Sequence, residues 1–394
     1  MPRKQNSQVL IPFNVGPIVY GMERGVIEVF DLLRPELEPH FLMSFTTGRL
    51  RLPILQEIQA RGLNYSFFSD KTAWPRIGKP KSLPDVWRMA SAIIRGNRDV
   101  YKAAKDKDVI YIPGVNYFFW SAIAIIRQRL LRRRVAYQFH DLLIRPSLSL
   151  RLTSLFVTDF IHCSRLGFNL VSEGNPYIRK RRNHILPYRT GSPRLTSQSI
   201  AVNGDFEGRV NLLFFGQVSR HKGVDILLEA FEQVASEFPN TILHIAGGYS
   251  NTEFETACTE FMAKEHLRQR IKYWGFVEDI EQLLKLANIH VHPSPPSRFM
   301  DTFPLAALES MRHGVPTVCF ESGGLPEMIV DGETGVICRD ESVEGLVDGI
   351  RKLLSRPQLI NLYSLQAANR YQELYSEEPV KRAWLEAFSE KSPE

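Results

Sequence analysis

From residue 207 onward, short runs of apolar, β-favouring residues alternate with longer stretches whose apolar positions recur at helical spacing. Val210–Phe215 (VNLLFF) predicts a buried strand, and Val224, Leu227, Leu228, Phe231 and Val234 predict one face of the helix after it. The unit recurs, with strands predicted at 242–246, 271–274, 289–292 and 317–320 and helices at 253–267, 280–287, 305–312 and 343–354. The first half repeats the pattern more noisily, with strands at 8–13, 40–45, 64–68, 109–112, 135–139, 160–163 and 184–186. Between the halves lies a Ser-, Thr-, Gly- and Pro-rich stretch, 190–208, that reads as a linker. Such alternation predicts α/β architecture: parallel sheets with helices on both faces, in doubly wound domains at 1–189 and 209–374.

A length of 394 residues suits two or three domains, and 44% apolar with 23% charged residues is ordinary for a globular chain. Disorder, collagen-like repeats and a long coiled coil are excluded as descriptions of the whole. The four cysteines, Cys163, Cys258, Cys319 and Cys338, form no C-x-x-C pair and read as reduced thiols of a cytoplasmic protein. The longest apolar stretch, 109–126, is broken by Pro113, Gly114 and Asn116, so neither a spanning helix nor a signal peptide is expected.

The net charge of +6 conceals a split. Residues 1–200 hold 31 Lys and Arg against 14 Asp and Glu, whereas residues 201–394 hold 18 against 29. The first half should attract an anionic surface and the second should not.

In open α/β sheets, ligands bind beyond the carboxyl ends of strands. After the strand at 210–215 comes Gly216-Gln217-Val218-Ser219-Arg220-His221-Lys222-Gly223 and then a helix. Its glycines permit tight turning, and Arg220 and Lys222 bring positive charge to a helix N-terminus, a setting for phosphate. Alone, the loop would read first as a basic surface turn. In Asp301-Thr302-Phe303-Pro304-Leu305-Ala306-Ala307-Leu308-Glu309, Pro304 suits a first helical turn, which leaves Asp301 in the loop and Glu309 one to two turns into the helix. The two carboxylates could accept hydrogen bonds from a polyol, while N–H groups near Phe303–Leu305 face a phosphate. The plainer alternative is a helix N-terminal charge and a solvated helix residue.

The ordered set is longer than these two loops: G-x5-K-G (216–223), A-G-G (246–248), W-G-F-V (274–277), H-P-S (292–294), D-x7-E (301–309), H-G-V-P (313–316), G-G-x-P-E (323–327) and D-G-x-T-G (331–335). Over residues 207–372 it resembles the C-terminal domain of the retaining glycosyltransferases of family 4. The first half resembles them through Gln138-Phe139-His140-Asp141 and the glycine-bearing loop Tyr20–Gly25. The resemblance implies a GT-B fold, two Rossmann-like domains facing each other across a cleft, with a C-terminal helix at about 375–394 returning to the N-terminal domain.

It also implies site roles. Lys222, helped by Arg220, would neutralise the diphosphate of a nucleotide sugar, with UDP or GDP as its nucleotide. Glu309 would hold the ribose, Asp301 the hydroxyls of the transferred sugar, and His140 the sugar on the acceptor side. Gly16 or Gly21 would let the N-terminal loop close on the diphosphate. Gly216, Gly247, Phe276, Val277, Phe303, Pro304 and Leu305 would line the donor. This chain departs from the pattern at Gln217, where Arg is usual, and at Asp301, where Glu is usual.

No metal or other cofactor is expected, because cations and helix N-termini can stabilise a departing diphosphate. The single D-x-D, Asp106-Lys107-Asp108, precedes a strand and reads as a surface turn. The expected activity is transfer of a glycosyl group to a glycan or lipid-linked acceptor. The alternatives are a silent GT-B scaffold or another nucleotide-sugar enzyme, such as a non-hydrolysing epimerase. Basic residues at 127–134 and 179–182, beside the aromatic run 117–126, suggest peripheral contact with an anionic membrane, the inner face of the plasma membrane. The competing reading of that run is a buried crossover helix. Nothing in the chain has the aromatic-lined basic groove of a nucleic-acid binder.

Overall fold

The computed structural model describes residues 7–13, 21–43, 53–69, 82–139, 148–190, 208–277 and 279–389. The chain divides into two compact units, one of residues 1–196 with 377–394 and the other of residues 197–376.

In the first unit the strands are β1 (Ser7–Phe13), β2 (Leu37–Met43), β3 (Asn64–Phe67), β4 (Val109–Ile112), β5 (Arg134–Phe139), β6 (Asp159–His162) and β7 (Arg182–Ile185). They form one parallel sheet in the order β3-β2-β1-β4-β5-β6-β7. Helices α1 (Gly21–Leu32), α2 (Pro53–Ala60), α3 (Leu83–Ala103), α4 (Val115–Leu130), α5 (Leu148–Ser154) and α6 (Arg165–Gly174) connect them. The central strands β4 and β5 are buried along their whole length, as strands covered on both faces must be. Ser82 and Ser164 start α3 and α6 by accepting the N–H groups of Asp85 and Gly167.

The second unit holds β8 (Val210–Phe215), β9 (Thr241–Ala246), β10 (Ile271–Tyr273), β11 (Ile289–His292), β12 (Thr317–Phe320) and β13 (Gly335–Cys338), again parallel, in the order β10-β9-β8-β11-β12-β13. Its helices are α7 (Val224–Glu237), α8 (Thr252–Met262), α9 (Glu281–Leu286), α10 (Leu305–Arg312), α11 (Leu325–Met328), α12 (Val343–Leu354) and α13 (Pro357–Leu374). Leu227, Phe231 and Val234 of α7 pack with Leu346, Ile350 and Leu353 of α12 in the main core. Both sheets reverse their strand order once, at β1/β4 and at β8/β11, and these switch points are where such sheets bind ligands.

Helix α14 (Glu377–Ser389) belongs to the first unit. Trp384 is fully buried there, its indole Nε1–H donating to the Pro187 carbonyl at 2.9 Å. Arg134 donates to both oxygens of Asp159, at 2.8 and 3.2 Å, and also to the Ala387 carbonyl at 2.7 Å.

Three expectations change. The helix expected over 253–267 ends at Met262, after which the chain turns so that Leu267 buries and Lys264 and His266 both reach Glu232. Strand β13 and helix α13 were not anticipated, because a four-residue strand opening on glycine carries no readable alternation. The aromatic run 117–126 forms most of α4, and Tyr117, Phe118, Trp120, Ala124 and Ile125 of it are core residues. Within the basic run beyond it, Arg133 bonds the Lys105 and Lys107 carbonyls and Arg134 is buried against Asp159. Among the described residues, no helix is long and apolar enough to cross a membrane.

Candidate functional site

The carboxyl ends of β8 and β11 lie side by side at the switch point of the second sheet, with Ile289 paired to Leu212 and His290 to Leu213. The loops that leave them meet. Gly223, in the left-handed region at φ +70°, caps α7 and lies so close to the β11 loop that a Cβ there would stand 1.8 Å from the Pro293 carbonyl oxygen. Glycine alone permits both the dihedral and the approach.

This contact delivers Lys222 to Asp301. Their ammonium and carboxylate form a direct ion pair, and both side chains are about one-fifth exposed. The ammonium also sits 4.4 Å above the Phe299 ring. On the other side of the carboxylate, His292 Nε2 is 3.5 Å from Asp301 Oδ2 and 3.3 Å from the Ser294 hydroxyl. Burial would raise the Asp301 pKa, but His292 and the charge of Lys222 outweigh it and hold the carboxyl at about 2. Burial lowers the His292 pKa from its usual value, against the raising effect of Asp301. His292 is a site residue that the sequence signalled only through H-P-S; its position at the last residue of β11 could have marked it.

Two further loops close around the pair. The Asp301 carbonyl accepts the N–H of Gly324 at 2.8 Å. Helix α10 begins at Leu305, with Pro304 at its N-cap, so its first-turn N–H groups have no intrahelical acceptor. Phe303 packs edge-on against Tyr375 at 5.8 Å. Glu309 lies on the same helix and is buried.

Gly216 and Gly247, at the ends of β8 and β9, touch each other: a Cβ on Gly247 would lie 1.7 Å from the Gly216 carbonyl oxygen. The Trp274–Val277 turn follows β10 and bonds back to that loop, Gly247 N–H reaching the Gly275 carbonyl at 2.6 Å. Trp274 Nε1–H donates to His244 Nδ1 at 3.2 Å, and His244 Nε2 pairs with Asn211 Oδ1 at 3.0 Å. With its backbone so held, the turn presents the Phe276 ring 69% exposed, with Val277 half-buried beside it.

Arg220 is not gathered with Lys222. Its guanidinium is 3.5 Å from Asp225 and lies over the Phe254 ring, while Arg298 bonds the Arg220 carbonyl and both Asp225 oxygens. Gly21 is the first residue of α1 and therefore helical, where a mobile loop glycine was expected. Gly16 and His140 lie outside the described residues. Among the described residues, no group of three or more His, Cys, Asp or Glu side chains is placed to hold a metal ion.

Residues 197–371 match the family described as Glycosyl transferases group 1. The chain is 27% identical over 183 residues to a glycogen synthase of Mycobacterium tuberculosis, which covers 46% of this chain and 42% of that protein. It is 26% identical over 223 residues to the N-acetyl-alpha-D-glucosaminyl L-malate synthase of Bacillus anthracis, covering 55% and 56%. The chain thus spans about half the length of these curated relatives. Two solved structures align over nearly all of it. Anabaena Alr3699/HepE in complex with UDP and glucose has TM-score 0.74 at 17% identity, covering 98% of this chain and 100% of that one. A glycosyltransferase from Rickettsia africae has TM-score 0.76 at 16% identity, covering 97% and 98%. The fold is that of the GT-B glycosyltransferases, two Rossmann-like parallel-sheet domains.

Proposed function

We propose that this protein is a retaining glycosyltransferase of family 4 that moves a sugar from a nucleoside diphosphate sugar to a glycan or lipid-linked acceptor. The observation that carries the reading is the Lys222–Asp301 ion pair at the switch point of the second sheet, where a cation suited to diphosphate meets a carboxylate suited to sugar hydroxyls. The UDP bound by Alr3699/HepE supports a uridine nucleotide, with GDP as the other candidate.

In this reading the diphosphate draws Lys222 away from Asp301 and lies over the N-termini of α7 and α10. Asp301 then accepts hydrogen bonds from the transferred sugar, and Glu309 takes the ribose. The bond from the anomeric carbon to the diphosphate oxygen breaks, its electron pair leaving with the nucleoside diphosphate, and the acceptor hydroxyl oxygen bonds the anomeric carbon while its proton passes to the departing diphosphate. Charge gathers on the leaving diphosphate, where Lys222 and preorganised N–H groups stabilise it without a metal. Gly216, Gly247, Phe276 and Val277 line the nucleotide, the exposed Phe276 ring offering a face to the base.

Calorimetric titration of the metal-free protein with UDP, GDP and ADP tests this. One nucleotide should bind, and Lys222→Ala and Glu309→Ala should each weaken it at least about tenfold, the order expected for losing a charged contact. Equal binding by the variants would refute the site. Nucleotide binding without nucleotide release from any donor sugar would leave the silent scaffold as the better reading.

A further inference from the structure

We propose that the solvent face of α3 is a membrane-docking surface that lies in the interface of an anionic bilayer. The buried aromatic run of α4 cannot serve this purpose, but its neighbour α3 can. The inner side of α3 is firmly attached: a Cβ at Gly96 would meet Trp120 of α4 at 2.4 Å, and the Asn97 side chain accepts the Ile123 N–H at 2.9 Å. Its outer side carries Leu83, Trp87 and Ile94, which are 77%, 75% and 68% exposed. At about 100° per residue these three fall within about 40° of one another, so they form a single stripe along the helix.

The stripe continues in charge. Arg98 lies on the same line one turn beyond Ile94, Lys102 flanks it, and both are exposed. Of the acids of this helix, Asp99 is buried, accepts from Ser69 and lies 3.8 Å from the exposed Arg98 guanidinium, and Asp85 is bonded to Ser82 at the helix start. Exposed Ile123, Ile126 and Leu130 extend the apolar surface onto α4. Scattered exposed apolar residues need no explanation, but an indole and several aliphatic side chains aligned beside cations do.

A lipid surface fits this chemistry better than a protein partner. A helix of this kind lies in the interface plane with its apolar side among the acyl chains and its cations at the headgroups, and the indole is suited to that boundary. The excess of 31 basic over 14 acidic residues in the first half complements an anionic leaflet. The helix N-terminus follows the carboxyl end of β3, so Leu83 and Trp87 stand at the ligand-binding rim of the first sheet. Docking there would bring that rim to a lipid-linked acceptor. The surface itself does not depend on the activity proposed for the second unit.

Vesicle co-sedimentation of the full chain tests the proposal, using phosphatidylcholine with and without phosphatidylglycerol. The protein should bind the anionic vesicles preferentially. Trp87→Ser with Ile94→Ser, and separately Arg98→Glu with Lys102→Glu, should each weaken binding at least about tenfold, as expected when a large side chain or two cations no longer meet the membrane. The melting temperature and nucleotide affinity should stay unchanged. Brominated lipid should quench the fluorescence of the wild type and not that of Trp87→Phe, which separates insertion from any folding defect. Failure to bind, equal binding to neutral vesicles, or full binding by the Trp87/Ile94 variant would overturn the proposal. So would a lipid-free dimer that those substitutions dissociate and that ignores vesicles.

Discussion

Gly323 lies directly against Asp301: a Cβ added to it would stand 1.9 Å from the Asp301 carbonyl oxygen. Its φ of +55° is one that side chains disfavour, and the same oxygen already accepts the Gly324 N–H at 2.8 Å. Gly323→Ala must therefore move the backbone that presents the Asp301 carboxylate. It should cost about 2 kcal/mol or more of stability and several degrees of melting temperature, and nucleotide affinity should fall with it. Gly248→Ala is the control, since a Cβ there meets nothing within 4 Å and its φ is unrestrictive. Its effect should stay within about 0.5 kcal/mol. Comparable losses from both would show that the close approach is not what the glycine serves.

The ion pair of Lys222 with Asp301 predicts an acid-dependent loss of stability. The Asp301 carboxyl falls from 3.8 to about 2 on folding, so the folded state favours its charged form. Its contribution, about 2 kcal/mol, is complete above the unfolded value and disappears as the pH drops from about 4 through 2. Asp301→Asn should remove this segment of the stability–pH curve while leaving the rest parallel to wild type. Chemical denaturation across that range measures it, and coincident slopes would contradict the assignment.

A second acid step belongs to His244. Burial lowers its pKa from 6.5 to about 4, and in the neutral form its Nδ1 accepts from the Trp274 indole. A depressed histidine stabilises above its unfolded value, and that stability is lost as pH falls from 6.5 towards 4. His162, buried and also brought to about 4, adds to the same window. The NMR titration of the His244 ring should have its midpoint near 4, and Trp274→Phe, which leaves Nδ1 without its donor, should shift it. A His244 midpoint near 6.5 would mean that the ring is solvated and the Trp274–Val277 turn is not held as described.

Much of the second unit was legible in the sequence because its strands are continuous apolar runs and its loops carry glycines at fixed offsets. Val210–Phe215, Ile289–His292 and Thr317–Phe320 have the predicted bounds. The placement of Asp301 before α10 and of Glu309 within it followed from Pro304. Other features depend on long-range contacts, which local pattern does not encode. His292 joins the site only because β11 lies beside β8, and Arg220 turns away only because Asp225 and Phe254 engage it. In the first half, apolar runs identified the strands but could not say which aromatic residues face inward. Trp120 is core, while Trp87 is exposed.

The attachment of α14 carries the last prediction. Trp384 is completely buried against Phe30, Tyr111 and Phe388, at centroid distances of 6.2, 6.4 and 6.2 Å, and its indole N–H is bonded to Pro187. Around it, Lys381 pairs with Glu36 at 3.0 Å and Arg189 with Glu377 at 3.3 Å, but these partly exposed pairs contribute little. Trp384→Ala should cost about 3–5 kcal/mol, combining lost burial with an unfilled cavity and an unpaired Pro187 carbonyl. Lys381→Ala should cost under about 1 kcal/mol. Because Phe30, Tyr111, Phe388 and Pro187 all belong to the first unit, the loss should appear as a lowered transition of that unit, with the nucleotide-stabilised transition of the second unchanged. Scanning calorimetry with and without UDP separates the two transitions, and a Trp384→Ala protein in which both move together would show that the units unfold as one.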